Sequence, residues 1–190
     1  MKVLGFTGNY ITEDVPQCFL MADSSILFNG RPFFVPDFAQ RFVATPTIVV
    51  RTGRLGKCIA PKFAHRYWDA FTAGFTVQAQ RSDDERLVVL DQAFDGAAIV
   101  GDWVLTSEVE DPMHSVVQVM VNGEVVSRTC LSDMRHSIDD LLAGVSTRCS
   151  IKMGDLLFTG ATAPGHRLVP GDCLTASIGD NQVLDIKVRL

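Results

Sequence analysis

Short apolar runs separated by turn residues dominate the chain, and the pattern is clearest in residues 151–190. There the runs 156–159, 173–178 and 183–188 are divided by Gly154-Asp155, Gly171-Asp172 and Gly179-Asp180. Glycine reaches positive φ at no steric cost, as a tight turn requires, so each run is predicted to be a strand. The last run sets Leu184, Ile186, Val188 and Leu190 against Asp185, Lys187 and Arg189, with Val183 breaking the polar side. That is the period of a strand with one buried face. Upstream, residues 115–121 and 124–129 alternate around Asn122-Gly123, the chain's clearest hairpin. Residues 42–51 are apolar and β-branched, as in a core strand. Further strands are predicted at 2–8, 18–21, 25–28 and 75–80, the first ending in the turn Gly8-Asn9-Tyr10.

Two stretches read as helices. Phe63, Tyr67, Trp68 and Phe71 follow Pro61 at helical spacing and precede Gly74, which predicts a helix over 61–73. Ser132-Asp133 resembles an N-cap ahead of Met134, Ile138, Leu141 and Leu142, with Gly144 as the stop. The fold class is mainly β with two short helices (α+β). No repeat, linker or low-complexity tract divides the chain, so a single domain over 1–190 is expected.

Composition narrows the function classes. At 47% hydrophobic and 21% charged residues, the chain has a globular rather than a disordered make-up. A formal charge of −5 without basic runs argues against nucleic acid. No apolar stretch is long enough for a membrane span and no leader is evident, so a soluble, cytoplasmic protein is expected. Cys18, Cys58, Cys130, Cys149 and Cys173 are odd in number and never form Cys-x-x-Cys. They are expected to be free, mostly buried thiols.

Residues 153–160 and 168–188 resemble the C-terminal signature of the fumarylacetoacetate hydrolase family: a Gly-Asp turn, a strand ending in Thr-Gly, a glycine-rich loop and a closing hairpin. The resemblance extends through Gly8-Asn9-Tyr10, Val121-Asn122-Gly123-Glu124 and Ser132-Asp133-Met134. It implies a mixed β-roll or sandwich enclosing a divalent-metal site, a homodimer, and carbon–carbon bond chemistry on small 2-oxo acids. In that family acidic side chains hold the metal, and a His-Glu pair near the N-terminus activates water.

The matching positions here carry other residues. The family's catalytic histidine, three residues past the tyrosine, falls on Glu13, and the first histidine of the chain is His65. The two glutamates that hold metal fall on Thr45 and Thr47, the aspartate ligand on Gln80, and a lysine on Gln92; Asp95 of that last element persists. His166 lies in the glycine-rich loop that borders the substrate in the family. Mg²⁺ is held by oxygen ligands that usually include carboxylates, so no metal is expected at Thr45, Thr47 and Gln80, and the family's hydrolase or isomerase activity is expected to be impaired or lost. The remaining role is binding of a small molecule or a structural one.

One rival retains an enzyme. Glu13, Asp83 and Asp84 follow segments bordering the same mouth in a family-like fold, and they could hold Mg²⁺ or Mn²⁺ as relocated ligands; the plainer reading is two solvated acidic loops. No Gly-x-Ser-x-Gly or His-Glu-x-x-His motif offers another hydrolytic centre. Phe33, Phe34, Phe38 and Phe42 cluster in sequence, as core packing or as a dimer surface.

Overall fold

Two sheets share one core in the computed structural model, which describes residues 1–10, 16–81 and 85–190. In chain order the strands are β1 (Val3–Phe6), β2 (Cys18–Met21), β3 (Ile26–Phe28), β4 (Phe33–Phe34), β5 (Arg41–Thr52), β6 (Trp68–Gln80) and β7 (Ala98–Val100). They continue as β8 (Val104–Leu105), β9 (Val117–Val121), β10 (Glu124–Thr129), β11 (Leu156–Ala161), β12 (His166–Arg167), β13 (Cys173–Ile178) and β14 (Asn181–Arg189). The helices are α1 (Pro61–Ala64) and α2 (Ile138–Arg148). No helix among the described residues is long and apolar enough to cross a membrane.

The larger sheet has the order β2-β1-β11-β5-β6-β7-β3, with β12 also paired to β5 and β8 to β6. Its margins, β2 and β3, are joined by the 3₁₀ turn Asp23–Ser25, so the sheet curls into a roll. Val3, Met21, Val49, Ala98, Val100, Leu156 and Phe158 form one buried cluster, which Phe19, Ile26 and Trp103 pack against. Side chains from both margins and the centre meet in this way because the sheet curls towards them. The outer face, with Phe42, Ile48, Phe71 and Phe75, packs on Leu174, Leu184 and Ile186 of the second sheet and on Leu142 of α2. The second sheet runs β10-β9-β13-β14-β4. The hairpin β9–β10 and the closing pair β13–β14 form as predicted, and the predicted strand at 156–159 is β11 of the larger sheet.

The helix predicted over 61–73 is one turn, Pro61–Ala64, and the chain is a strand again from Trp68. Strand β6 is buried on both faces from Ala70 to Phe75. It therefore lacks the polar alternation that would mark it, and its aromatics fall by coincidence at helical spacing. Gly74 is not a helix stop: a Cβ there would stand 2.6 Å from Cγ2 of Val49 and overlap the Ile99 carbonyl. It allows the close approach of neighbouring strands.

The second helix starts later and ends later than predicted. Residues Leu131–Asp133 form a 3₁₀ turn in which the Asp133 carboxylate accepts from Cys130 N at 2.8 Å. The N-cap is Ser137, whose hydroxyl accepts from Asp140 N at 3.1 Å while the Asp140 carboxylate faces back to Ser137 N, a reciprocal cap. Gly144 lies inside the helix, which runs to Arg148. The cysteines are free, but none is buried: Cys18 and Cys58 are exposed and the other three are half-buried. Phe33 and Phe42 are core residues, whereas Phe34 and Phe38 are 59% and 45% exposed. Edge-to-face contacts link Phe42 to Phe33, Phe38 and Phe94.

Candidate functional site at the mouth of the roll

Strands β5 and β6 pair in register along almost their whole length, Arg41 with Gln80, Val43 with Gln78, Thr45 with Thr76 and Thr47 with Gly74. Directly opposed residues share a face, so these eight positions line the inside of the roll as four rows. Burial falls steadily along them: Thr47 and Gly74 are buried, Thr45, Thr76 and Val43 half-buried, and Gln78, Arg41 and Gln80 exposed. The roll is thus plugged at depth by Val49, Val100 and Phe158 and opens towards Arg41 and Gln80.

Thr45, Thr47 and Gln80 therefore share one concave face, with Thr45 and Thr47 in adjacent rows and Gln80 in the Arg41 row, about 13 Å along the strand from Thr45. The Thr47 hydroxyl donates to Ile48 O at 3.2 Å. The turn at Gln92 and Asp95 precedes Ala97, whose carbonyl accepts from Val77 N at 2.7 Å. Since β7 runs antiparallel to β6, this turn lies beside the Gln78 end of the mouth; Gln92 is half-buried and Asp95 exposed. His166 is placed differently. It pairs with Ala44, so it projects from the opposite face to Thr45, and its Nε2 lies 3.0 Å from Oδ2 of the buried Asp172. Burial opposes ionisation of Asp172, but hydrogen bonds from Asn122, Val169 N and His166 outweigh it and hold the carboxyl below its ordinary range. Glu13, Asp83 and Asp84 lie outside the described residues.

The frame around the mouth is fixed from the N-terminal turn. Asn9, at φ 73° and fully buried, accepts from His136 N at 2.8 Å and donates to the carbonyls of His136 and Thr159 at 3.1 and 3.0 Å. The Thr159 hydroxyl donates to Ile48 O at 2.9 Å, so the Tyr10 hydroxyl, 2.9 Å away, is the donor to Thr159 Oγ1. Burial pushes the Tyr10 phenol well above its ordinary value, against the opposing hydrogen bond to Thr159. Gly160, at φ 125°, sits where a methyl group would overlap the Gly8 carbonyl. Thr162 then returns to β5, its N–H donating to Pro46 O at 2.9 Å and its hydroxyl accepting from Ser127 at 2.8 Å.

Reasoning from sequence missed Thr76, Gln78, Arg41 and Arg167 as mouth residues. Period-2 alternation outward from Thr45 would have reached Arg41, once the strand was extended past Phe42. Arg167 pairs with Val43 through a strand of two residues, too short to leave a pattern. Among the described residues no group of three or more His, Cys, Asp or Glu is arranged to hold a metal ion.

Comparison with known proteins agrees with this architecture. Over 178 residues the chain is 22% identical to the oxaloacetate tautomerase fahd-1 of Caenorhabditis elegans, covering 91% of this chain and 83% of that protein. It is 23% identical over 172 residues to the maleylpyruvate hydrolase of Aquipseudomonas alcaligenes, covering 90% of this chain but 59% of that one. Several relatives are matched over less than two thirds of their own length. Among solved structures, fumarylpyruvate hydrolase from Pseudomonas aeruginosa in complex with Mn²⁺ and pyruvate superposes with a TM-score of 0.86 at 19% identity, over 100% of this chain and 90% of that chain. An uncharacterised Mycobacterium abscessus protein gives 0.86 at 24% identity, over 99% and 78%. The family model described as fumarylacetoacetate (FAA) hydrolase C-terminal matches residues 8–189, and the chain, a homologue of hydrolases and isomerases, belongs to that family.

Proposed function

We propose that this protein is a fumarylacetoacetate hydrolase family homologue that has lost the family's metal-dependent chemistry on small 2-oxo acids and keeps the mouth of the roll as a small-molecule binding site. The observation that carries this reading is the set of side chains on one concave face: Thr45, Thr47 and Gln80 offer neutral oxygens where the family resemblance calls for carboxylates. A divalent cation is held mainly by charge. The Thr47 hydroxyl is also committed to the Ile48 carbonyl and buried at 2% exposure, so this donor set fits a divalent cation poorly. The expected homodimer belongs to the same proposal, with half-exposed Phe34 as the residue whose change to Asp should give a folded monomer in sedimentation.

Isothermal titration of chelator-stripped protein with Mg²⁺ and Mn²⁺ tests the reading, together with turnover of an acylpyruvate. Neither tight binding nor a metal-dependent rate is expected. Tight one-to-one binding would overturn it and direct attention to Glu13, Asp83 and Asp84 as relocated ligands.

A further inference from the structure

The rows inside the roll differ in charge from depth to rim. Thr47 and Gly74 form the floor, and Thr45 and Thr76 the row above it. The next row is Arg167-Val43-Gln78, because Arg167 pairs with Val43 on one side of β5 and Gln78 pairs with Val43 on the other. Arg41 and Gln80 make the rim. From Thr45 outward, β5, its partner residues on β6, and β12 contribute no Asp or Glu. Arg41 and Arg167 are both exposed, and neither makes an ion pair among the described residues. On a chain with a formal charge of −5, two guanidinium groups thus stand beside side-chain amides and above rows of threonines.

One pleat separates Arg167 from Thr45, about 7 Å along the strand, within the span of an arginine side chain. The segment carrying it is pressed against that row: a Cβ on Gly165 would lie 2.8 Å from Thr45 Oγ1. Arginine presents a planar fork that matches a carboxylate through two parallel hydrogen bonds. Thr45 and Thr76 hydroxyls below it can donate to a neighbouring carbonyl or hydroxyl oxygen of the same molecule.

We propose that the mouth binds a small carboxylic acid directly and without metal, with Arg167 as the principal anchor and Arg41 as an outer, steering charge. This rests on the reading that the metal site is lost, and it adds what replaces the cation: a guanidinium on β12.

Oxalate is the probe, titrated calorimetrically into wild-type protein in chelator-containing buffer. Binding is expected, with a loss of about tenfold or more in Arg167→Gln, the equivalent of one charge-assisted pair. Partial recovery is expected in Arg167→Lys and a smaller loss, growing at low salt, in Arg41→Gln. Unchanged melting temperatures would show that these exposed substitutions leave the fold intact. Equal affinity in wild type and Arg167→Gln overturns the assignment. Absence of oxalate binding with and without Mn²⁺ overturns it too, leaving the loss of metal chemistry untouched. Oxalate binding that appears only after Mn²⁺ is added overturns both.

Discussion

Asn9 and Thr159 are 150 positions apart in the chain and joined in the fold, the Asn9 side-chain amide donating to the Thr159 carbonyl at 3.0 Å. This bond ties the first turn to the end of β11, where the register shifts between Phe158 and Ala161 and the chain bends towards the mouth. Asparagine suits the position twice over. It tolerates the left-handed backbone, and its amide both donates and accepts.

Replacing Asn9 with Ala removes three hydrogen bonds and leaves the buried Thr159 carbonyl and the carbonyl and N–H of His136 with fewer partners. The expected cost is about 3 kcal/mol, from an order of 1 kcal/mol per lost bond and more for stranded groups. Chemical denaturation should show a lower midpoint at unchanged slope.

Gly144 offers the opposite sign. It lies inside α2, and a Cβ there meets nothing within 4 Å beyond the helix itself. Gly144→Ala should stabilise the protein by about 0.5–1 kcal/mol, through helix propensity and a less flexible unfolded chain. A higher denaturation midpoint is the measurement.

Asp172 makes stability depend on acid pH. Its carboxyl is held below the ordinary value, so folding gains from ionised Asp172 at pH above about 4 and loses that gain as pH falls through the lower folded value. Asp172→Asn should cost about 1–3 kcal/mol at neutral pH. The gap to wild type should narrow as the pH drops below about 4, followed by thermal melts across that range.

Restoring charge tests the proposed loss of the metal site from the other direction. Thr45→Glu, Thr47→Glu and Thr76→Asp, combined, place three carboxylates in neighbouring positions on the inner face of β5 and β6, residue 76 standing opposite residue 45. The triple variant is expected to bind Mn²⁺ in titration, and to be less stable than wild type until the metal is added, because three like charges repel one another. Metal should then raise its melting temperature.

Much of the architecture was legible before any coordinates, because the strands of the second sheet have one wet face. Asp185 and Lys187 announce β14, and Asn122-Gly123 announces the turn between β9 and β10. The long strand β6 was misread for the converse reason, since its centre is buried on both sides and its aromatics carry no strand period. The start of α2 was hidden by a nearby competing cap, with Asp133 closing a 3₁₀ turn and Ser137 the helix. At the mouth, the family resemblance singled out Thr45 and Thr47, and β5 sets them on one face. The inward side of Arg167 and the outward side of His166 depend on pairing with β5, a long-range fact that no local pattern contains.

The 3₁₀ turn Asp23–Ser25 has a mechanical consequence. A curled sheet whose opposite margins are tied by so short a strap has a fixed girth, because widening any strand spacing would pull the strap apart. A small molecule bound as proposed would then be accommodated by side-chain rotation at the rim rather than by breathing of the wall. Selectivity should follow the bulk of residues 43 and 78 more than the flexibility of the barrel.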